Sequence, residues 1–265
     1  MSAHGKFIWY ELMTRDPQAA STFYHAVVGW RIAPVPDPTA SEVDYRLIGR
    51  DDGGTAGGAL TLTAAMEAGG ARPTWLGYLC VDDVDAVLAA MHDDGATVLM
   101  PPMDLPVGRI ALLSDPQGAA FYVMRPIPPA GADTAASDVF SHDRPGHVRW
   151  NELATSDPAA AVAFYTRHFG WAQPGAMEMG ELGQYRFLER EGQMLGAVMP
   201  NTPTQPDPAW LFYIGVPDID RAVAAVTRQG GTLCQAPLEI PGGEFAALAR
   251  DPQGAAFGLV GPRRT

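Results

Sequence analysis

Trp9-Tyr10-Glu11-Leu12-Met13-Thr14-Arg15-Asp16-Pro17 recurs as Trp150-Asn151-Glu152-Leu153-Ala154-Thr155-Ser156-Asp157-Pro158. The two copies lie 150 − 9 = 141 positions apart. Each is followed by an aromatic pair, Phe23-Tyr24 and Phe164-Tyr165, and then by Gly29-Trp30 and Gly170-Trp171. Further landmarks keep the order: Gly58-Ala59 with Gly196-Ala197, Trp75-Leu76 with Trp210-Leu211, and Asp115-Pro116-Gln117-Gly118 with Asp251-Pro252-Gln253-Gly254. Similarity at a fixed period marks a duplication. It divides the chain into 1–126, a linker over 127–145, and 146–265, each copy the size of an ordinary domain.

Within a copy the local signals are regular. Phe7 to Thr14 lacks Gly and Pro and is rich in apolar residues, as a strand requires. Alternation puts Phe7, Trp9, Glu11 and Met13 on one face. Asp16-Pro17 is a cap followed by proline in the first helical turn, and Gly29 stops the helix. Strands are expected at Trp30 to Val35, Asp44 to Gly49 and Ala56 to Thr63. A strand from Trp75 to Val81 then opens the same order again. A helix over 83–94 carries Val84, Val87, Leu88 and Met91 at helical spacing. Strands follow at Thr97 to Met100, Arg109 to Ser114 and Ala119 to Met124. Asp115 to Gly118 suits a type I turn. The chain thus reads as four strand–helix–strand–strand–strand units, two per copy.

Composition narrows the partners. Charge is 18 − 30 = −12, which argues against nucleic acid or an anionic membrane surface. No apolar window approaches a membrane span, and the N-terminus lacks a basic-then-apolar signal, so a cytoplasmic protein is expected. Cys80 and Cys234 occupy non-equivalent positions and are read as buried thiols.

The fourfold unit order, the Asp-Pro helix starts followed by Phe-Tyr, and Asp-Pro-Gln-Gly before each last strand together resemble the vicinal oxygen chelate superfamily. That is the glyoxalase, bleomycin-resistance and extradiol-dioxygenase group, and the resemblance covers nearly the whole chain. It implies an α+β fold in which each pair of units forms an eight-stranded, cup-shaped sheet with helices outside. Metal-dependent members carry His or Glu on four strands of the cup. Those positions are Trp9, Thr61, Leu76 and Tyr122 in the first copy, and Trp150, about Met199, Leu211 and Gly258 in the second. None is His, Glu, Asp or Cys, and a divalent cation needs several N, O or S ligands. The expectation is therefore no metal and no cofactor.

Glu11 and Glu152 lie two residues beyond the first of these positions and share its face. A carboxylate on an apolar strand is costly unless paired. It serves as a general base or ligand acceptor, or as a structural residue bonded to nearby groups; its presence in both copies favours structure. Tyr78 and Tyr213 share the faces of Leu76 and Leu211 and are natural partners for the two glutamates. Trp9, Trp75, Trp150 and Trp210 give the cups aromatic linings, while Trp30 and Trp171 fill packing sites. His25, His92 and His168 fall on helices as solvated side chains, and His147 opens a strand near the second cup. Arg46 and Arg186, beside Tyr45 and Tyr185, suit surface ion pairs. Gly258, standing where the first copy has Tyr122, leaves a volume for Met199 or a ligand. The expected ligand wall is Trp9, Thr61, Tyr78, Tyr122, Trp150, Met199, Tyr213 and Gly258. The function that follows is binding of a small apolar or aromatic molecule, with a homodimer compatible with it. The alternative is a lyase, isomerase or dioxygenase, using unusual metal ligands or a Glu base.

Overall fold

The structure is a computed structural model that describes residues 3–34, 43–128 and 137–264. The first copy runs β1 (Phe7–Thr14), α1 (Pro17–Val28), β2 (Arg31–Ile32), β3 (Tyr45–Gly49), β4 (Thr55–Thr61), α2 (Ala64–Ala68), β5 (Thr74–Cys80), α3 (Val84–Asp93), β6 (Thr97–Leu105), β7 (Gly108–Ser114) and β8 (Ala120–Pro126). The second runs β9 (Val148–Thr155), α4 (Pro158–Phe169), β10 (Ala176–Glu178), β11 (Gln184–Arg190), β12 (Gln193–Pro200), β13 (Ala209–Gly215), α5 (Ile219–Arg228), β14 (Thr232–Glu239), β15 (Phe245–Arg250) and β16 (Ala256–Gly261). Two eight-stranded sheets result, ordered β2-β3-β4-β1-β5-β8-β7-β6 and β10-β11-β12-β9-β13-β16-β15-β14.

The helix punctuation is used as read. Asp16 accepts the N–H groups of Gln18 and Ala19 at 3.0 and 2.9 Å, and Asp157 accepts that of Ala160 at 3.0 Å. Gly29 and Gly170 close α1 and α4 in the left-handed region at φ 89° and 65°, which costs glycine little. Three details differ from expectation. β2 is only two residues long, and Val35 lies outside the described residues, as does 129–136 of the linker. The short helix α2 was not anticipated; Thr63 caps it by accepting the Met66 N–H. β6 continues through Pro101-Pro102, with register shifts between Val98 and Met103. It is an edge strand, where missing N–H donors are tolerated.

Packing divides the chain into two compact units that cut across the repeats. One comprises Met1–Ile8, Gly77–Ser137 and Trp150–Leu211; the other comprises Trp9–Leu76, Asp138–Arg149 and Phe212–Thr265. In the second unit α1 packs on α5, and Phe23 and Tyr24 of α1 meet Phe257 edge-to-face at 5.9 and 5.5 Å. In the first unit α4 packs on α3, and Tyr165 meets Phe121 at 5.5 Å. Each repeat's first helix is thus buried against the other repeat's last strand.

A polar chain runs through each of these cores. In one, the Trp75 indole N–H donates to Tyr24 Oη at 2.8 Å, and Tyr24 donates to Asp251 Oδ2 at 3.2 Å. In the other, Trp210 donates to Tyr165 at 2.9 Å, and Tyr165 to Asp115 at 3.1 Å. The far oxygen of Asp251 accepts the Gln253 and Ala255 N–H groups; that of Asp115 accepts those of Gln117, Gly118 and Ala119. The aspartates that set the turns therefore also anchor buried tyrosines. Trp75 and Trp210 consequently face the helices, not the cups, because alternation sends them opposite Leu76 and Leu211.

Burial pushes the Asp115 and Asp251 carboxyls above the usual carboxylate range, against the pull of their N–H donors. A raised folded-state value means the native state binds protons more tightly. This contribution is full below the unfolded value and fades as pH rises through the folded one. Tyr24→Phe should cost roughly 2–4 kcal/mol, because Trp75 and Asp251 each lose a buried partner. Urea unfolding at neutral pH measures it. Asp251→Asn should flatten the fall in stability between acidic and neutral pH, read as a wild-type-minus-variant difference that grows with acidification.

Candidate functional site

In the unit that holds β9, β11 and β12, the face of β9 opposite Asn151 and Leu153 carries Trp150 and Glu152. The Trp150 N–H donates to Tyr185 Oη at 2.7 Å, and Tyr185 donates to Glu152 Oε2 at 2.6 Å. Phe187, two residues along β11, meets Trp150 and Tyr185 edge-to-face at 6.3 and 5.9 Å. Glu152 is buried while the three rings are half-buried. The result is an aromatic wall with a carboxylate behind it. Parallel pairing of β9 with β12 fixes the register, Glu152 opposite Ala197 and Ala154 opposite the buried Met199.

The first copy repeats this in the other unit. Trp9 donates to Tyr45 Oη at 2.7 Å. A Cβ at Gly58 would fall against the Tyr45 hydroxyl, so that ring lies over Gly58, the register partner of buried Glu11. Here Leu47, largely exposed, holds the place of Phe187. Thr61, half-buried, closes β4 opposite Thr14. Sequence reading placed Tyr45 and Tyr185 beside two arginines and missed their role; their nearly equal spacings from Trp9 and Trp150, 36 and 35 residues, were the available signal.

The remaining predicted site residues fall into two pairs. Tyr78 and Tyr122 are register partners whose rings stack at 4.2 Å and 16°. Tyr213 and Gly258 are register partners as well. The space above Gly258 is neither open nor filled by Met199: the Tyr213 ring lies where a Cβ would be. The missing side chain lets one ring lie flat where the first copy stacks two.

The two tryptophans at expected metal positions have N–H groups committed to tyrosines, and an indole N–H is a donor without a lone pair for a metal. Among the described residues, no three His, Cys, Asp or Glu side chains are grouped to hold a metal ion. The side chains at these positions do not fit a divalent cation. His168 is not solvated: its Nε2 lies 2.8 Å from Asp94 and the side chain is buried. His147 is buried just before β9, with Nδ1 3.1 Å from the Pro145 carbonyl; burial holds its pKa down. Arg46 makes two 2.8 Å bonds to Asp44, which hold the Asp44 carboxyl below its usual range. Cys80 is buried and its thiol is pushed up to about 11 by burial, whereas Cys234 is only half-buried, because it sits on edge strand β14.

Gly258→Ala should destabilise the protein by roughly 1–3 kcal/mol through overpacking against Tyr213, measured by thermal or urea unfolding. A neutral result would mean that the Tyr213 ring can leave Gly258 freely.

The comparisons accord with this architecture. The model of the Glyoxalase/Bleomycin resistance protein/Dioxygenase superfamily matches residues 6–123 and 144–259. CFP32 of Mycobacterium tuberculosis, named a provisional glyoxylase, is 34% identical over 260 residues, covering 96% of this chain and 94% of the relative. The anthracycline biosynthesis protein DauV of a Streptomyces species is 30% identical over 281 residues, covering 97% and 94%. Among solved structures, 2,2',3-trihydroxybiphenyl 1,2-dioxygenase of Sphingomonas wittichii superposes with TM-score 0.65 at 13% identity, over 97% of this chain and 90% of that one; this likeness is one of fold. With both halves matched, the chain belongs to the Glyoxalase/Bleomycin resistance protein/Dioxygenase superfamily.

Proposed function

We propose that this superfamily member binds a small apolar or aromatic molecule without a metal, with Glu11 and Glu152 as the polar anchors. The single observation that carries the proposal is the Trp150–Tyr185–Glu152 chain. It places three partly accessible rings beside a buried carboxylate, on the strand where metal-dependent relatives hold their first ligand. Aromatic walls with few placed polar groups suit flat organic ligands. The ligand wall proposed is Trp9, Thr61, Tyr78, Tyr122, Trp150, Met199, Tyr213 and Gly258, within copies bounded at 1–126 and 146–265. The relative named for anthracycline biosynthesis favours a small organic molecule as the ligand. No helix among the described residues is long and apolar enough to cross a membrane, and a cytoplasmic location is part of the proposal.

A second reading is supported by the relative named as a glyoxylase. In it, Glu152 acts as the base of a metal-free lyase or isomerase, with Tyr185 as its hydrogen-bond donor. Turnover of an α-ketoaldehyde adduct by chelator-treated protein would favour it over binding alone.

A thermal-shift screen of planar aromatic compounds, on protein purified without a metal-affinity tag, tests the proposal. Hits should survive chelation, and Glu152→Gln should weaken them by about tenfold or more, the loss expected when a charged acceptor is removed. A stoichiometric transition metal required for binding would overturn it.

A further inference from the structure

The repeats give each wall a control within the same chain. In the second copy, Phe187 stands opposite Ala197, and Ala197 opposite Glu152. In the first, Leu47 stands opposite Gly58, and Gly58 opposite Glu11. Register partners share a face of the sheet, so Phe187 answers to Leu47 and Ala197 to Gly58. The second of these differences sets how close the tyrosine ring comes to the strands. Tyr45 lies where a Cβ at Gly58 would be. Ala197 carries that Cβ, so Tyr185 cannot take the same position.

The first difference sets the shape of the wall. The Phe187 ring stands at 80° to both Trp150 and Tyr185. It is half-buried, whereas Leu47 is 54% exposed. Met177, the register partner of Tyr185 on β10, adds a flexible apolar side chain to the same face. The second copy thus offers three rings at steep angles, and the first offers two rings and an exposed leucine. Dispersion grows with the number of atoms in contact. A flat ring system can bring all its atoms close to such faces, while a puckered one of the same skeleton holds part of its atoms away. The family match covers both halves and does not distinguish them.

We infer that Phe187 makes the second copy's wall the tighter ligand site and sets its preference for flat ring systems over puckered ones. The inference rests on the binding function proposed above and names the site and the ligand shape.

Titration calorimetry of the full chain with 2-naphthalenemethanol and with decahydronaphthalene-2-methanol tests it. The aromatic alcohol should fill one tight site per chain and bind at least about tenfold more tightly than its saturated counterpart. Phe187→Leu, which installs the first copy's residue, should weaken the aromatic alcohol by about tenfold and the saturated one by no more than about twofold. The preference then collapses while the fold and the site persist. Phe187→Tyr keeps a ring and should restore the preference. Two sites of equal affinity in the native chain, a preference unmoved by Phe187→Leu, its failure to return in Phe187→Tyr, or loss of both alcohols in Phe187→Leu would each overturn the inference and leave the binding function standing. Failure of the native chain to bind either alcohol would instead remove the binding function, and this inference with it.

Discussion

The buried tyrosine–aspartate bond is the constraint on which the rest of the molecule depends. Tyr24 reaches Asp251 and Tyr165 reaches Asp115, so each bond ties the first helix of one repeat to a turn of the other. An aspartate in such a core is tolerable only because turn N–H groups and a tyrosine satisfy it. The turn, the helix and the strand that carries Trp75 or Trp210 must therefore be in place together. Six tryptophans are present, and each uses its N–H: on Tyr45, Tyr24, Tyr185 and Tyr165, and on the carbonyls of Gly146 and Gly5. Large rings fill these cores without leaving a stranded donor.

The two copies solve one packing problem in different ways. Where the last strand offers Tyr122, its partner Tyr78 stacks on it. Where it offers Gly258, Tyr213 lies directly on the backbone. Both arrangements keep a tyrosine on the inner strand, and they differ in ring count rather than in openness. Difference between the copies is also found at the wall, where Phe187 replaces Leu47.

Much of the architecture was legible because it rests on local chemistry repeated twice. Asp16-Pro17 and Gly29 delimit α1 without help from distant residues, and Asp115 to Gly118 forms its turn from its own side chain. β1 was bounded correctly for the same reason. What escaped the sequence depends on partners far along the chain. Nothing near Tyr24 announces Asp251, and nothing near Tyr185 announces Glu152. β6 ran past its expected end because Pro101-Pro102 breaks a central strand but not an edge. The glutamates were singled out by alternation alone, whereas the tyrosine that orients Glu152 needed the register of three strands. His168 looked solvated because its partner Asp94 lies far back along the chain, just past the end of α3.

The reciprocal exchange of helices has a consequence for descent and assembly. A chain with only one repeat would present the aromatic face of its first helix and the buried aspartate of its last turn with neither satisfied. A second copy supplies both at once, since the helix of each meets the turn of the other. Such a surface is self-complementary in the manner of a twofold interface. The duplicated chain can be seen as an ancestral pair fused end to end, its former intermolecular contacts now made at an effective concentration that no dissociation can dilute. Fusion also freed the halves to diverge, so that one sheet could keep Tyr122 while the other carries Gly258.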